Sequence, residues 1–168
     1  YLTFKKQLYS QIKNEKFCIG VSGGPDSLAL AFLCKIFSKE FNSKFIALII
    51  DHNLRKQSAT EAQKVKIILT KHKIRAKILT WKGKIPKSNI QFNARNIRYF
   101  LLKKECNKLN IKNLVLAHHE GDLIENFFIR LFRGSGLKGL SSLNIKRHSE
   151  DNILNLIRPL INTKKDEL

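Results

Sequence analysis

Short apolar runs alternate along this chain with longer segments whose apolar residues recur at helical spacing. The runs predict strands, since they are short and partly β-branched, and the longer segments predict helices. The predicted strands are 17–21, 44–51, 76–81, 113–117 and 153–157, and the predicted helices are one beginning at Ser27 and those over 59–72, 90–109 and 122–132. This alternation predicts an α/β fold, a Rossmann-like parallel sheet of about five strands with helices on both faces.

The turn after the first strand reads VSGGPDSL, at 21–28. Gly23 and Gly24 have no Cβ, so the turn can take unusual dihedral angles and a ligand can approach the backbone closely. Ser27 is expected to be the N-cap of the next helix. A row of N–H groups at a helix N-terminus is a ready site for phosphate. A tight turn without a ligand explains the glycine pair equally well at this stage.

Polar clusters follow three of the predicted strands: SGGPD at 22–26, DHNLR at 51–55 and HHEGD at 118–122. Because the carboxyl ends of parallel strands meet at one edge of the sheet, these clusters are expected to converge. Core packing does not explain three such clusters on one edge, so they favour a nucleotide site over a bare turn.

The net charge of the chain is +19. Such an excess ordinarily points to nucleic acid. Most of the basic residues are lysine, however, and lysine, isoleucine and asparagine are abundant together, as expected from an AT-rich genome. The charge therefore gives only moderate support for an RNA partner.

Three cysteines, Cys18, Cys34 and Cys106, lie far apart without a CxxC pair. They are expected to be core thiols in a reducing compartment, which predicts a cytoplasmic protein. No apolar run is long enough for a membrane helix, so no membrane partner is expected. The chain has no methionine, and we expect it to be part of a longer protein.

The motifs resemble a known family. SGGPDS at 22–27 resembles the pyrophosphate-binding loop of the PP-loop ATP-pyrophosphatases, whose fold is adenine nucleotide alpha hydrolase-like. The stretches at 51–62, 93–102, 117–140 and 158–161 are similar to the tRNA(Ile)-lysidine synthetase family. The resemblance covers almost the whole chain. It implies that 1–168 is the nucleotide-binding catalytic domain, and that the family's C-terminal tRNA-binding domains lie outside this chain.

The resemblance implies a two-step ligation. ATP adenylates C2 of the wobble cytidine in a tRNA(Ile) with a CAU anticodon, and free lysine then displaces AMP to give lysidine. ATP and Mg²⁺ are the implied cofactors, and the oligomeric state stays open.

On this basis the expected ATP ligands come from two strand ends. The loop residues Ser22, Gly23, Gly24, Pro25 and Ser27 are expected to hold the pyrophosphate, and Asp51 and His52 to lie at the adenosine. Asp26 is expected to bind phosphate through Mg²⁺, since a carboxylate facing phosphate directly would be repelled.

The expected RNA and lysine ligands come from the later motifs. Arg95 and Arg98 lie three apart on one helix, and Arg95 is expected to neutralise charge at the α-phosphate. Asp122 and Glu125 are expected to hold the lysine ammonium and take its proton. His119, Arg98, Arg130 and Arg133 are expected to contact the RNA substrate.

One position departs from the family pattern HHxDD. Gly121 stands where the family has its first aspartate, while Asp122 keeps the second. The substitution Gly121→Asp is expected to be tolerated, because it restores the family's usual residue at a helix start.

Two alternatives stay open. The first is another PP-loop tRNA-modifying enzyme such as a tRNA thiolase, which generally needs cysteines near the site. The second is a non-catalytic module that binds nucleotide and RNA. Release of pyrophosphate from ATP that depends on tRNA and lysine separates them.

Overall fold

The computed structural model describes residues 1–55, 57–83, 88–132, 134, 146–148 and 154–167. The helices are α1 (Leu2–Ile12), α2 (Pro25–Glu40), α3 (Ser58–Lys71), α4 (Ile90–Lys108), α5 (Glu120–Phe132) and a 3-10 turn (Lys165–Glu167). The strands are β1 (Phe17–Val21), β2 (Phe45–Asp51), β3 (Ala76–Thr80), β4 (Asn113–Val115), β5 (Lys146–His148) and β6 (Asn155–Ile157).

The strands form one sheet in the order β3-β2-β1-β4-β6-β5. The first five in that order are parallel, and β5 pairs antiparallel with β6 at the edge. The predicted parallel sheet of about five strands is therefore confirmed. β1 has β2 on one side and β4 on the other, so β1 is where the strand order reverses.

Alternate residues of β1 enter two separate cores, one on each face of the sheet. Phe17, Ile19 and Val21 belong to the core that also contains the inner faces of α1, α2 and α3. Cys18 belongs to the core on the other face, together with Leu102 of α4. Helices on both faces are thus confirmed, and the period-2 alternation expected of a strand decides which core each residue enters.

Two elements were not predicted. α1 buries Phe4, Leu8 and Ile12, which are spaced four apart and so share one helix face. The two lysines and the polar residues between them hide that spacing. β5 is only three residues long, too short to give a periodic signal.

Buried amides connect strands at the end of the sheet where β1 begins. Asn113 of β4 is only 1% exposed. Its Nδ2 donates to Glu15 Oε2 at 2.6 Å, and its Oδ1 accepts from Asn155 Nδ2 at 2.9 Å. A buried amide is stable only when its polar atoms are paired, so these bonds favour the observed alignment of β4 with β6.

In the part of the chain that the structure describes, none of the helices combines the length and apolar character needed to cross a membrane.

We expect Asn113→Leu to lower the free energy of unfolding by about 1–3 kcal/mol, because it leaves Glu15 and Asn155 without their partner. Urea unfolding of the purified protein measures this. Asn107→Leu, at an exposed position of α4, is the matched control and should change stability by about 0.5 kcal/mol or less. Equal losses in both variants would contradict a stabilising role for the buried amides.

Candidate functional site

A cleft of about 400 Å³ opens at the carboxyl ends of β1, β2 and β4. Its wall includes Ser22 after β1, His52 after β2 and His118 after β4. The predicted convergence of the three polar clusters is therefore confirmed. The cleft lies where the strand order reverses, which is the usual ligand site of an open parallel sheet.

The turn from β1 into α2 requires glycine at one position. Gly23 has φ +90°, a backbone conformation that other residues rarely adopt. A Cβ there would also lie 2.6 Å from Val65 Cγ2 of α3. Gly24, by contrast, has an ordinary extended φ of −71°.

The expectation that Ser27 caps α2 is wrong. The N-cap is Gly24, and Pro25 takes the first helical position, where the missing N–H costs nothing. Ser27 is therefore in the third helical position, and its hydroxyl turns back into the loop. It donates to Gly24 O at 2.9 Å and accepts from Gly23 N at 3.1 Å and Ser22 N at 3.3 Å.

These bonds change which N–H groups are open to an anion. The N–H groups of Ser22 and Gly23, both expected to face phosphate, are bound to the Ser27 hydroxyl. The first hydrogen bond of the helix runs from Leu28 N to Gly24 O. The N–H groups of Asp26 and Ser27 therefore have no carbonyl partner within α2, as is usual in a first helical turn. They are the donors at this helix N-terminus that can bind an anion.

Asp26 of α2 and Asp122 of α5 both approach His119, which is only 8% exposed. His119 Nε2 lies 3.6 Å from Asp26 Oδ2 and 3.8 Å from Asp122 Oδ2. Asp122 Oδ2 also accepts from the backbone N of His119 at 2.9 Å. Two carboxylates that are far apart in the sequence thus lie around one imidazole.

Gly121 lies against the same imidazole, and its N–H donates to His119 Nδ1 at 3.0 Å. A Cβ at position 121 would be 2.8 Å from His119 Cε1, closer than real Cβ atoms come to a neighbour. The tolerance of Gly121→Asp stays a prediction, and a Cβ at this position requires the end of the His119 ring to shift.

The neighbouring His118 contacts Arg158, which is only 2% exposed. Arg158 Nε donates to His118 Nδ1 at 3.2 Å. Burial, followed by the positive charge of Arg158, lowers the pKa of His118 to about 4. His118 is thus neutral near pH 7. No role was predicted for Arg158, although the RPLI stretch at 158–161 was the available signal.

The two residues that end β2 have different surroundings. Asp51 is buried, does not line the cleft, and accepts from Asn53 N at 2.9 Å, so its carboxylate closes the turn. His52 does line the cleft, and its buried Nδ1 has no hydrogen-bond partner. Burial, then the charge of Arg98, lowers the pKa of His52, and Asp51 opposes the shift.

The predicted arginines differ in position. Arg98 lines the cleft, whereas Arg95 lies over the ring of Tyr99, 5.4 Å from its centroid, outside the cleft wall. Both arginines nevertheless help to lower the pKa of His118, so both charges lie near the site. The side chain of Arg130, and Arg133 as a whole, lie outside the described residues.

Only one residue of the predicted acidic pair on α5 lines the cleft. Asp122 lines the cleft, whereas Glu125, one turn later, is exposed and does not. The loop before α3 and its first turn add wall residues that were not predicted, among them the ion pair of Arg55 Nη2 and Glu61 Oε2 at 3.1 Å. Their signal in the sequence was the stretch 51–62.

Sequence comparisons with known proteins give one family match and a set of named relatives. A model of the PP-loop domain family matches residues 3–168. The chain is 44% identical over 156 residues to "tRNA(Ile)-lysidine synthase" of Orientia tsutsugamushi (strain Boryong), covering 93% of this chain and 35% of that protein. It is 39% identical over 171 residues to the protein of that name from Rickettsia rickettsii (strain Sheila Smith), covering 100% of this chain and 35% of the relative. The chain thus spans about a third of the length of these curated relatives.

Solved structures give the same fold. A U34-tRNA thiolase from Methanococcus maripaludis superposes with a TM-score of 0.79 at 21% identity, covering 98% of this chain and 60% of that one. An NH3-dependent NAD synthetase from Campylobacter jejuni superposes with a TM-score of 0.54 at 15% identity, covering 98% and 65%. At these identities the likeness concerns the fold alone. The family model, which spans nearly the whole chain, goes further: this chain belongs to the PP-loop domain family.

Proposed function

We propose that this chain is the ATP-binding catalytic domain of a tRNA(Ile)-lysidine synthase. The observation that carries the proposal is the cleft itself, in which the open N-terminus of α2 lies beside the carboxylates of Asp26 and Asp122. An anion site next to acidic groups suits a substrate pair of ATP and an amine. The RNA substrate in this proposal, tRNA(Ile), is supported by the identities of 39% to 44% with proteins named tRNA(Ile)-lysidine synthase.

The proposed reaction has two steps. The C2 carbonyl oxygen of the wobble cytidine in a tRNA(Ile) with a CAU anticodon attacks the α-phosphorus of ATP, and pyrophosphate leaves. The side-chain amine of free lysine then attacks C2, the bond from C2 to the adenylate oxygen breaks, AMP leaves, and the amine gives up a proton. The product is lysidine.

The loop after β1 holds the pyrophosphate in this proposal. The open N–H groups of Asp26 and Ser27 and the positive end of the α2 dipole bind phosphate oxygens. Ser27 holds the loop in shape through its bonds to Ser22, Gly23 and Gly24. We assign Pro25 to preorganisation, since its fixed φ starts the helix at that point.

Mg²⁺ fits the donors of this cleft. Within the described residues no group of three or more His, Cys, Asp or Glu side chains is arranged as a complete metal site. Mg²⁺ usually needs only one or two protein carboxylates, because water and substrate phosphates complete its shell. Asp26, with Asp122 nearby, can supply that share. When bound, the ion neutralises phosphate charge, and we assign Asp26 to hold it.

His52 contacts the adenosine part of ATP in this proposal. Its neutral ring lines the cleft with a buried and unpartnered Nδ1, and a buried polar atom without a partner costs free energy. A ligand hydroxyl or amino group can fill that position. Asp51, also expected at the adenosine, contributes by fixing the turn that carries His52.

The arginines of α4 stabilise the negative charge that develops at the α-phosphate in the transition state of the first step. Arg98 reaches the cleft wall, and Arg95 adds its charge close to His118. Fixed positive charge at the α-phosphate stabilises the charge that develops there. We assign Arg98, Arg130 and Arg133 to contacts with the RNA, whereas His119, also expected there, is buried and does not line the cleft.

The acidic side chains of α5 handle lysine. Free lysine has a pKa of about 10.4, so its ammonium must be held and deprotonated before it attacks. Asp122 lines the cleft, and Glu125 follows it by three residues on the same helix face. Asp122 is thus assigned to bind the ammonium, and Glu125 to accept its proton.

A tRNA thiolase is the second candidate, since such an enzyme is among the structural neighbours. The cysteines of this chain argue against it. Cys18, Cys34 and Cys106 are all buried, and none lines the cleft. Burial raises the pKa of Cys34, and a hydrogen bond to Cys106 raises the pKa of Cys18, so these two thiols are poor nucleophiles.

We place the proposed ligase in the cytoplasm, where its tRNA and lysine are found.

We expect Asp26→Asn in the full-length protein to slow tRNA-dependent pyrophosphate release by about 100-fold or more, because the amide cannot hold Mg²⁺. The melting temperature should change little. Asp166→Asn, the same substitution at an exposed site, is the matched control. Normal pyrophosphate release by Asp26→Asn would overturn the Mg²⁺ assignment.

We expect Glu125→Gln to leave pyrophosphate release intact while lysine incorporation falls about 100-fold, because an amide keeps the shape but cannot accept the proton. Parallel assays of pyrophosphate and of labelled lysine in tRNA measure the two steps, with Glu120→Gln as the neighbouring control. If pyrophosphate release stops as well, Glu125 belongs to the ATP site instead.

A further inference from the structure

We propose that the outer face of α4 is a stacking surface for single-stranded RNA, and that it binds the loop that presents the reacting cytidine to the cleft. The identity of this loop rests on the proposed function. The binding of RNA to α4 is tested without catalysis.

The outer face of α4 carries exposed aromatic rings. Phe92 and Phe100 are 65% and 54% exposed, although phenylalanine is a residue type that is most often buried. With the exposed Asn96 between them they recur every four residues, so the three side chains share one face of the helix, the α4 stripe. The core side of α4 is occupied by other residues, among them Leu102 and Cys106. The two rings are therefore not needed to anchor the helix.

The ring of Phe100 is held in place at the edge of the sheet where the cleft opens. It lies edge-to-face against Trp81, with 6.1 Å between the ring centroids and 89° between the planes. Trp81 follows β3, and its backbone N donates to Asp51 O at the end of β2, at 2.9 Å. The next residue, His52, lines the cleft. The α4 stripe is thus preorganised and continuous with the candidate site.

The charges of α4 suit a polyanion. The basic residues of the helix are Arg95, Arg98, Lys103, Lys104 and Lys108. Its acidic residue, Glu105, is buried, and its Oε1 accepts from Lys77 Nζ at 2.6 Å. Helix α4, which lies wholly within the described residues, therefore presents no exposed carboxylate to an anion. Since Arg98 lines the cleft, a phosphate backbone lying along α4 is attracted as far as the site.

Single-stranded RNA is the partner that matches the rings and the charge together. Proteins bind unpaired bases by stacking them on exposed aromatic side chains, while lysine and arginine hold the phosphates. A base-paired stem hides its base faces, and an apolar protein partner would not use the positive charge of α4. The proposed reaction needs the same class of RNA, because a cytidine must leave its stack to enter an active site.

Binding of a tRNA(Ile) anticodon stem-loop to the full-length protein, without ATP or lysine, tests the stacking. Phe100→Leu keeps an apolar side chain but removes the ring, and should weaken this binding about fivefold or more. Binding of a fully paired RNA stem should change by less than about twofold, because its bases are not open to stacking. Phe100→Tyr keeps a ring and should bind as the wild type does. Tyr9→Leu removes an exposed ring of α1 and is the matched control.

The dependence of binding on salt tests the charges separately. Lys104→Gln removes one exposed cation of α4, and should lower the slope of log affinity against log salt by about 0.7 for one phosphate contact. Phe100→Leu should leave that slope unchanged, since stacking releases no counterions. An unchanged slope in Lys104→Gln would show that the RNA backbone does not lie along α4.

Equal losses for the stem-loop and the paired stem in Phe100→Leu would overturn the stacking role. Unchanged RNA affinity in that variant would overturn it too, and a lower melting temperature would then show that this face packs against another part of the protein. If the stem-loop needs Phe100 but no lysine enters tRNA, the proposed function fails and the RNA surface stands. If lysine enters tRNA and RNA binding does not need Phe100, the reverse holds.

Discussion

β1 pairs with β2 on one side and with β4 on the other, and the connections from these strands leave in opposite directions. The rest of the site depends on this reversal. It separates the helices that follow β1 and β2 from the helix that follows β4, and the gap at the strand ends is the cleft. Any polar sequence placed after these three strands must then face the same space.

The cleft holds charges of both signs. Asp26 and Asp122 approach His119. Burial and then the charge of Arg158 lower the pKa of His118, and Asp122 opposes that shift. A site for phosphate and ammonium needs groups of both signs, since phosphate oxygens prefer cations and ammonium prefers carboxylates.

Much of the fold was predictable, because short apolar runs bounded by polar turns and helical periodicity are strong local signals. β1 begins and ends at the predicted residues, and the convergence of the polar clusters followed from the parallel order alone. α1 was missed because mostly polar residues separate its three buried residues, and β5 because three residues carry no period.

The site was less predictable where side chains interact in space. Ser27 looked like an N-cap by residue type, but Pro25 already begins the helix two residues earlier. Asp51 ends β2 as expected, but its carboxylate accepts from Asn53 N and does not line the cleft. The contact between Gly121 and the His119 ring depends on the folded chain, and the sequence does not show it.

We propose that this cleft activates a cytidine for attack by lysine. Mass spectrometry of tRNA(Ile) tests this most directly, after incubation of the full-length protein with ATP, Mg²⁺ and isotopically labelled lysine. We expect labelled lysine joined to the wobble cytidine, with one pyrophosphate and one AMP released for each lysine. Unlabelled tRNA, or sulfur in place of lysine at that base, would contradict it.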